Sequence, residues 1–404
     1  MKIKVGVIFG GESVEHEVSI ISAVQAMNKL DQEKYEIVPI YITKDREWYT
    51  GAMLRDVESY QDLELIKKYA TNVVLYYKNG AFVLQSKGLF KKVVADIDIA
   101  FPITHGTNVE DGALQGYLQT IGIPYVGPNV YAAAVGQDKV YMRDIFAANH
   151  LPIPKYTWFY DTDYRQDMDK IIEQVEQLKY PVIVKPATTG SSVGIGTASD
   201  QDTLKKAIEE AMIYDSKIIV EEMVQNLMEV NISVLGNYEH QQTSVIEEVL
   251  AGHAFLTYED KYLGNGKIKG KMGVKTPRKG SKGMASANRK IPADLTEKME
   301  KEVQDIAIRA FKALGSSGDA RIDMLIDTKA KKVYVNEINS IPGSLAFYLW
   351  DPLGKDYTEL LDDMINIGIK DFKRRQNKTH SFESNILEGF AANGVKGLKG
   401  KLNK

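Results

Sequence analysis

The 404-residue chain contains no cysteine. Disulfides, thiolate nucleophiles and zinc–thiolate sites are therefore excluded, which fits a reducing compartment. Charge of one sign is also lacking. Lys and Arg total 51 against 54 Asp and Glu, a net −3, so there is no global pull toward nucleic acid. No apolar run approaches the length that spans a bilayer, so membrane insertion is not expected. The opening Met1-Lys2-Ile3-Lys4-Val5-Gly6 reads as a strand rather than a signal segment. The first Gly-Gly turn, Gly10-Gly11, lacks the G-x-G-x-x-G spacing of a dinucleotide site. No internal repeat is visible. What remains, 44% hydrophobic and 26% charged residues, is a globular composition, and the length predicts two or three domains.

Local patterns predict alternating strands and helices. Lys4–Phe9 is a strand, and Val18, Ile21, Val24 and Met27 have helical spacing. Tyr35–Thr43 is a second strand, so the chain opens β-α-β, the start of a parallel, doubly wound α/β domain. Further strands are expected at Ile97–Pro102, Val182–Lys185, Ile218–Val220 and Asn231–Leu235, and helices at Val135–Asn149 and Leu295–Leu314. Gly264–Lys290 holds nine Lys or Arg, six Gly and no acid, and is expected to be a mobile loop. The tail after Lys370 is also basic.

Two segments near the C-terminus carry the most chemistry. Arg321–Asp327 and Val333–Asn339 read as facing strands of one hairpin. Side chains two apart share a face. A turn centred near Ala330 then sets Asp323 opposite Glu337 and Arg321 opposite Asn339. Hard oxygen donors in such a cluster suit Mg²⁺ on substrate phosphates; a solvated face with ordinary charge pairs gives the same sequence. Upstream, Lys185-Pro186 leads into a Thr, Ser and Gly-rich loop through Gly194. Such a loop can bring backbone N–H groups close to phosphate, with Lys185 as a point charge, though its spacing is not that of a Walker A loop. A plain hairpin loop is the alternative. Glu221, Glu222, Met223 and Glu229 can hold adenine and ribose or form an acidic strand end. Glu12–Glu17 can cap the first helix, or one of these acids can bind a substrate ammonium. His105 can be structural or catalytic.

Taken in order, these segments resemble the D-alanine–D-alanine ligases of the ATP-grasp superfamily, in their larger subtype. The matching pieces are Gly10-Gly11 through Ser19, His105-Gly106 through Gly116, Lys185-Pro186 through Gly194, Tyr258 through Tyr262, Ile291-Pro292-Ala293, Arg321-Ile322-Asp323 and Asn336 through Gly343. The resemblance runs from the N-terminus to about Lys370. It implies an ATP-grasp fold of three α/β domains: 1–127 for substrate, 128–220 and 221–370 gripping ATP, with a lid at 258–290 and a basic tail at 371–404.

The resemblance also implies the reaction: ATP phosphorylates one D-alanine carboxylate, and the amine of a second D-alanine displaces the phosphate. Asp323, Glu337 and Asn339 would hold two Mg²⁺ (or Mn²⁺). Lys139 and Lys185 would contact phosphates under the Ser191-Ser192-Val193 loop, and Glu221, Glu222, Met223 and Glu229 would hold adenine and ribose. Glu15 would bind the first ammonium in a network with Ser191 and Tyr262. Arg321 and the Gly343 N–H would stabilise the oxyanion, and His105 would lie near the first substrate. A cytoplasmic homodimer serving peptidoglycan synthesis is implied, with ATP and D-alanine as partners and no nucleic acid.

The chain departs from the family in a longer, basic lid and after Gly343. There, Tyr348 falls where a serine usually helps bind the second substrate's carboxylate; Lys261 remains available for it. Tyr262 resembles dipeptide-forming members, which favours an amine acceptor. Alternatives are a different acceptor, such as D-serine, or a non-catalytic ATP-binding module.

Overall fold

The computed structural model describes residues 2–250 and 289–381. Lys261, Tyr262, most of the expected lid and the tail beyond residue 381 lie outside the described residues. Residues 1–369 form one unit and 370–404 a second.

The first unit is built on three sheets. The first has seven strands: β1 (Ile3–Gly10), β2 (Tyr35–Ile42), β3 (Trp48–Thr50), β4 (Thr71–Lys78), β5 (Ala81–Ser86), β6 (Val93–Ile97) and β7 (Ile99–Pro102), in the order β6-β5-β4-β3-β2-β1-β7. β2, β1 and β7 are parallel, as the β-α-β opening predicts. The other strands add on as an antiparallel meander. Both faces of β1 are covered, which explains its unbroken apolar run. Val5, Val7 and Phe9 pack with helix His16–Lys29 and with Leu360, Leu361 and Met364 of helix Tyr357–Gln376. Ile8 packs on the other side with Leu114 and Leu118.

The second sheet has four strands: β8 (Tyr156–Tyr160), β9 (Val182–Pro186), β10 (Gly196–Ala198) and β11 (Lys217–Glu222), ordered β10-β9-β11-β8. The third has five: β12 (Leu227–Gly236), β13 (Gln241–Val249), β14 (Arg289–Lys290), β15 (Gly318–Asp327) and β16 (Lys332–Asn339), ordered β14-β13-β12-β15-β16. Its inner face, with Val230, Ile232, Ile322 and Met324, packs on helix Glu297–Ala313 and on Met142 and Phe146. The segment 130–148 thus shares its core with the third sheet.

The single helix expected over Val135–Asn149 is two helices, Val130–Gln137 and Lys139–Ala148. Asp138 breaks the run because its carboxylate accepts the N–H groups of Val140 and Tyr141, capping the second helix. This cap fixes where Lys139 emerges.

Candidate active site

The β15–β16 hairpin has the register expected from its turn: Asp323 faces Glu337 and Arg321 faces Asn339. A β-bulge between Asp323 and Met324 adds one residue on β16, since Met324 faces Val335. The extra residue, Asn336, joins Glu337 in lining the same cavity. The polar row extends across the sheet, with Glu247 opposite Asn231 and Asn231 opposite Asp323. The intervening residues Val230, Ile232 and Ile322 are buried in the core, so strand periodicity places the row on the outer face. Arg321 clasps Asp323 through Nε–Oδ1 at 2.6 Å and Nη2–Oδ2 at 2.7 Å. The Asn339 amide donates to Asp323 Oδ2 at 3.0 Å. Two carboxylates and an amide oxygen on facing strands are the donor chemistry a hard divalent cation requires.

Helix Lys139–Ala148 and sheet two supply the facing wall. Lys185, at the end of β9, donates to Glu221 Oε2 at 2.6 Å, and Arg143 Nε donates to Glu221 Oε1 at 2.6 Å. Arg143 also donates to the backbone oxygen of Asn336, and Lys185 reaches Asn336 Oδ1 at 3.3 Å. Burial pushes the Glu221 carboxyl up, but the two cations together hold it down at about 2. The expectation that Glu221 grips adenine or ribose therefore meets a carboxylate with both oxygens engaged; it anchors Lys185 and Arg143. Glu222, Met223 and Glu229 line the cavity with Ile183, Leu227 and Leu325. Lys139 donates to the Thr189 carbonyl at 2.7 Å. Burial pushes its pKa down, and the nearby Lys185 and Arg143 add to this, against Glu337 and Glu221.

The loop after Lys185 is a β9–β10 hairpin loop, and it also lines the site. Ser191 and Ser192 adopt left-handed φ values of 55° and 60°, a strained arrangement of the kind found where a loop meets a ligand. The Val193 N–H closes the turn on the Gly190 carbonyl at 3.2 Å. Ser191 Oγ donates to Glu15 Oε1. Glu15 occupies the N-cap position of helix His16–Lys29 but makes no capping hydrogen bond. Its carboxylate faces the loop instead, so closely that a Cβ on Gly190 would lie 2.7 Å from Oε2.

A second cavity lies beyond this point, lined by Glu15, His105, Glu110, Arg321 and Gly343 among others. His105 Nε2 pairs with Ser22 Oγ at 3.1 Å, and burial lowers its pKa to about 4, so the ring is neutral at pH 7. Glu110 accepts the N–H groups of Gly106 (2.9 Å) and Ile341 (3.1 Å). Burial, with Glu15 nearby, raises it to about 8. Gly343 opens a left-handed turn, with φ of 52°, 51° and 43° at Ser344, Leu345 and Ala346. Ser22 Oγ and Gln25 on helix His16–Lys29 hold that turn through Ser344. Tyr348 follows, and its hydroxyl donates to Glu247 Oε1 at 3.1 Å.

Thus the described residues of the expected site line the two cavities, except Val193, which lines neither. Arg143, Glu110, Asn231, Asn336, Glu247 and Arg289 line or brace it without having been singled out as ligands. Two signals for them were present. Arg143 lies one helical turn after Lys139, and Asn231 shares a strand face with Glu229.

Residues 4–128 match the family described as D-ala D-ala ligase N-terminus, and 145–366 the D-ala D-ala ligase C-terminus. A D-alanine–D-alanine ligase of Thermosipho melanesiensis is 36% identical over 386 residues, covering 96% of this chain and 98% of the relative. The structure of the D-alanine-D-alanine ligase from Coxiella burnetii superposes with a TM-score of 0.76 at 27% identity, covering 97% of this chain and 99% of that one. The VanG D-Ala:D-Ser ligase of Enterococcus faecalis superposes with a TM-score of 0.74 at 29% identity, covering 91% and 100%. No helix among the described residues is long and apolar enough to cross a membrane.

Proposed function

The chain belongs to the D-alanine–D-alanine ligase family, and on that footing we propose that it joins two D-alanines into D-alanyl-D-alanine at the expense of ATP, for peptidoglycan synthesis. The observation that carries the reading is the shared wall of the two cavities. Glu15, Lys139, Thr189–Ser191, Arg321, Glu337 and Asn339 line both. A nucleotide in the larger cavity and an amino acid in the smaller one would therefore meet there.

ATP would enter with its adenine between Ile183, Met223 and Leu325, its ribose near Glu222 and Glu229, and its phosphates on Lys139, Lys185 and the Ser191–Val193 loop. Asp323, Glu337 and Asn339 would hold Mg²⁺, whose chemistry is to neutralise phosphate charge as the terminal phosphoryl group transfers. Glu15, oriented by Ser191, would bind the ammonium of the first D-alanine. His105, neutral and buried, would pack beside it. A carboxylate oxygen of this substrate attacks the γ-phosphorus, and ADP leaves. The amine of the second D-alanine then attacks the acyl carbon, the amide bond forms and inorganic phosphate departs. Arg321 and the Gly343 N–H would receive the oxyanion in that step. Lys261 and Tyr262, the remaining expected contacts, lie outside the described residues. The domain division at 127–128 and 220–221, a cytoplasmic homodimer and the absence of nucleic-acid partners belong to the same reading.

A panel of D- and L-amino acids, single and paired, with ADP release and product mass recorded, tests it. D-Alanine alone should yield ADP, phosphate and the dipeptide in equal amounts. Product only with D-serine as acceptor would reassign the second substrate. No amino-acid-dependent ADP formation would leave a nucleotide-binding module.

A further inference from the structure

At the edge of the site, β14 adds a guanidinium that the reaction described above does not use. Arg289 faces Val249 across the β13–β14 pair, one strand position past Glu247 on the same face. Its Nη1 pairs with Glu247 Oε2 at 3.2 Å, and its guanidinium carbon lies 5.0 Å from the centre of the Tyr348 ring. Glu247, fully buried, also receives the Asn231 amide at 2.7 Å and the Tyr348 hydroxyl at 3.1 Å. The arginine is thus locked by an ion pair and a ring face. Its own side chain is 11% exposed, and Arg289 Nε is buried with no acceptor among the described residues.

Arg289 lines the larger cavity together with Asp323 and Arg321, and Arg321 also lines the smaller one, so Arg289 sits on the nucleotide side of the shared wall. Arg321 lies within electrostatic reach of both Glu247 and Tyr348. The locked guanidinium therefore stands on the flank of the proposed bond-forming centre, fixed to the sheet.

Resting on the ligase reading, we propose that Arg289, positioned by Glu247 and Tyr348, is the group that recognises the free α-carboxylate of the acceptor amino acid. The chemistry fits. An acceptor presents one amine to the acyl carbon and one carboxylate that must be neutralised as it leaves water. A planar guanidinium fork does this better than a flexible ammonium.

The test is a competition between D-alanine and D-alaninamide, which has the same amine but no carboxylate, at equal concentrations, with both products quantified by mass. Truncating Arg289 alone strands the buried Glu247 carboxylate and endangers the fold. The charge-balanced double variant Arg289→Gln with Glu247→Gln avoids this and keeps the Asn231 and Tyr348 hydrogen bonds. The expected result is a fall of roughly 10- to 100-fold in the preference for D-alanine over the amide, with KM values for ATP and the donor D-alanine near wild type. A preference within about twofold of wild type would overturn the assignment. So would KM values for ATP and donor that rise in step with the loss, which would mark a merely structural role. A wild-type enzyme making neither product counts against the ligase reading itself, and is thereby distinguished from a failure at Arg289.

Discussion

Replacing Glu221 by Gln removes one buried negative charge and almost no volume, which makes it a clean probe of the site's electrostatic frame. Glu221 is 1% exposed, and its oxygens each lie 2.6 Å from a cationic nitrogen, Arg143 Nε and Lys185 Nζ. Its pKa stands at about 2 against an ordinary 4.5. At about 1.4 kcal/mol per pKa unit, that gap corresponds to about 3 kcal/mol of folding stability. Breaking a buried ion pair by removing one partner costs about 3–5 kcal/mol, which agrees. The folded state binds this proton less readily than the unfolded chain. The contribution is therefore complete above the unfolded value, and is lost as pH falls toward the folded one. Urea unfolding followed by circular dichroism should show the variant about 3 kcal/mol less stable at pH 7 and at pH 5, with roughly half that deficit at pH 3. A deficit under about 1 kcal/mol at pH 7, or one as large at pH 3 as at pH 7, would refute the reasoning.

Three other outcomes are expected. Gly190→Ala sets a methyl group 2.7 Å from Glu15 Oε2; D-alanine-dependent ADP formation should drop at least about tenfold with the melting temperature nearly unchanged, because the clash is relieved by turning aside the Glu15 carboxylate alone. Asp323→Asn removes a hard anionic donor and the partner of Arg321; Mn²⁺ binding read by electron paramagnetic resonance should weaken by about tenfold or more, and ligation should be nearly abolished. Lys139, whose pKa is lowered by burial, should regain it beside a bound phosphate, so nucleotide binding at alkaline pH takes up a proton and affinity falls as pH rises. Calorimetry in buffers of different ionisation enthalpy should show this uptake in wild type and its loss in Lys139→Arg, which stays charged throughout.

How much of this was legible depends on how local each signal is. The Asp323–Glu337 pairing needed only strand periodicity and a turn near Ala330. The bulge that adds Asn336 to the site left no mark in composition, because it is a property of the paired ladder rather than of either strand. Glu221 was readable as an acid at a strand end. Its two cations come from β9 and from a helix 78 residues upstream, so their meeting is a tertiary fact. Glu15 shows the reverse. Its position suggested a helix cap, but the approach of Gly190 and Ser191 from the second sheet determines where its carboxylate points. Glu247 and Arg289 were hidden for another reason. The strands they belong to, β13 and β14, were not anticipated, and without the β12–β13 pairing a carboxylate at 247 has no face to belong to.

These cases share a physical logic. Buried charges in and around the site are matched across elements: Arg143 and Lys185 with Glu221, Arg289 with Glu247, and, outside the cavities, Lys217 with Asp138. Each such pair is expensive to desolvate and stabilises little by itself. The arrangement makes sense as alignment. The Glu221 carboxylate can be satisfied only when helix Lys139–Ala148 and β9 meet β11, and the same contact brings Arg143 onto the bulged Asn336 of the third sheet. Ser191 on Glu15 and the Glu110 contacts with Gly106 and Ile341 do the equivalent between the first sheet and the other two. A misassembled chain would leave these ions unpaired in the interior, at several kcal/mol each. The charge pairs therefore penalise every arrangement in which the two cavities fail to share a wall, and that shared wall is where the proposed reaction would bring phosphate and carboxylate together.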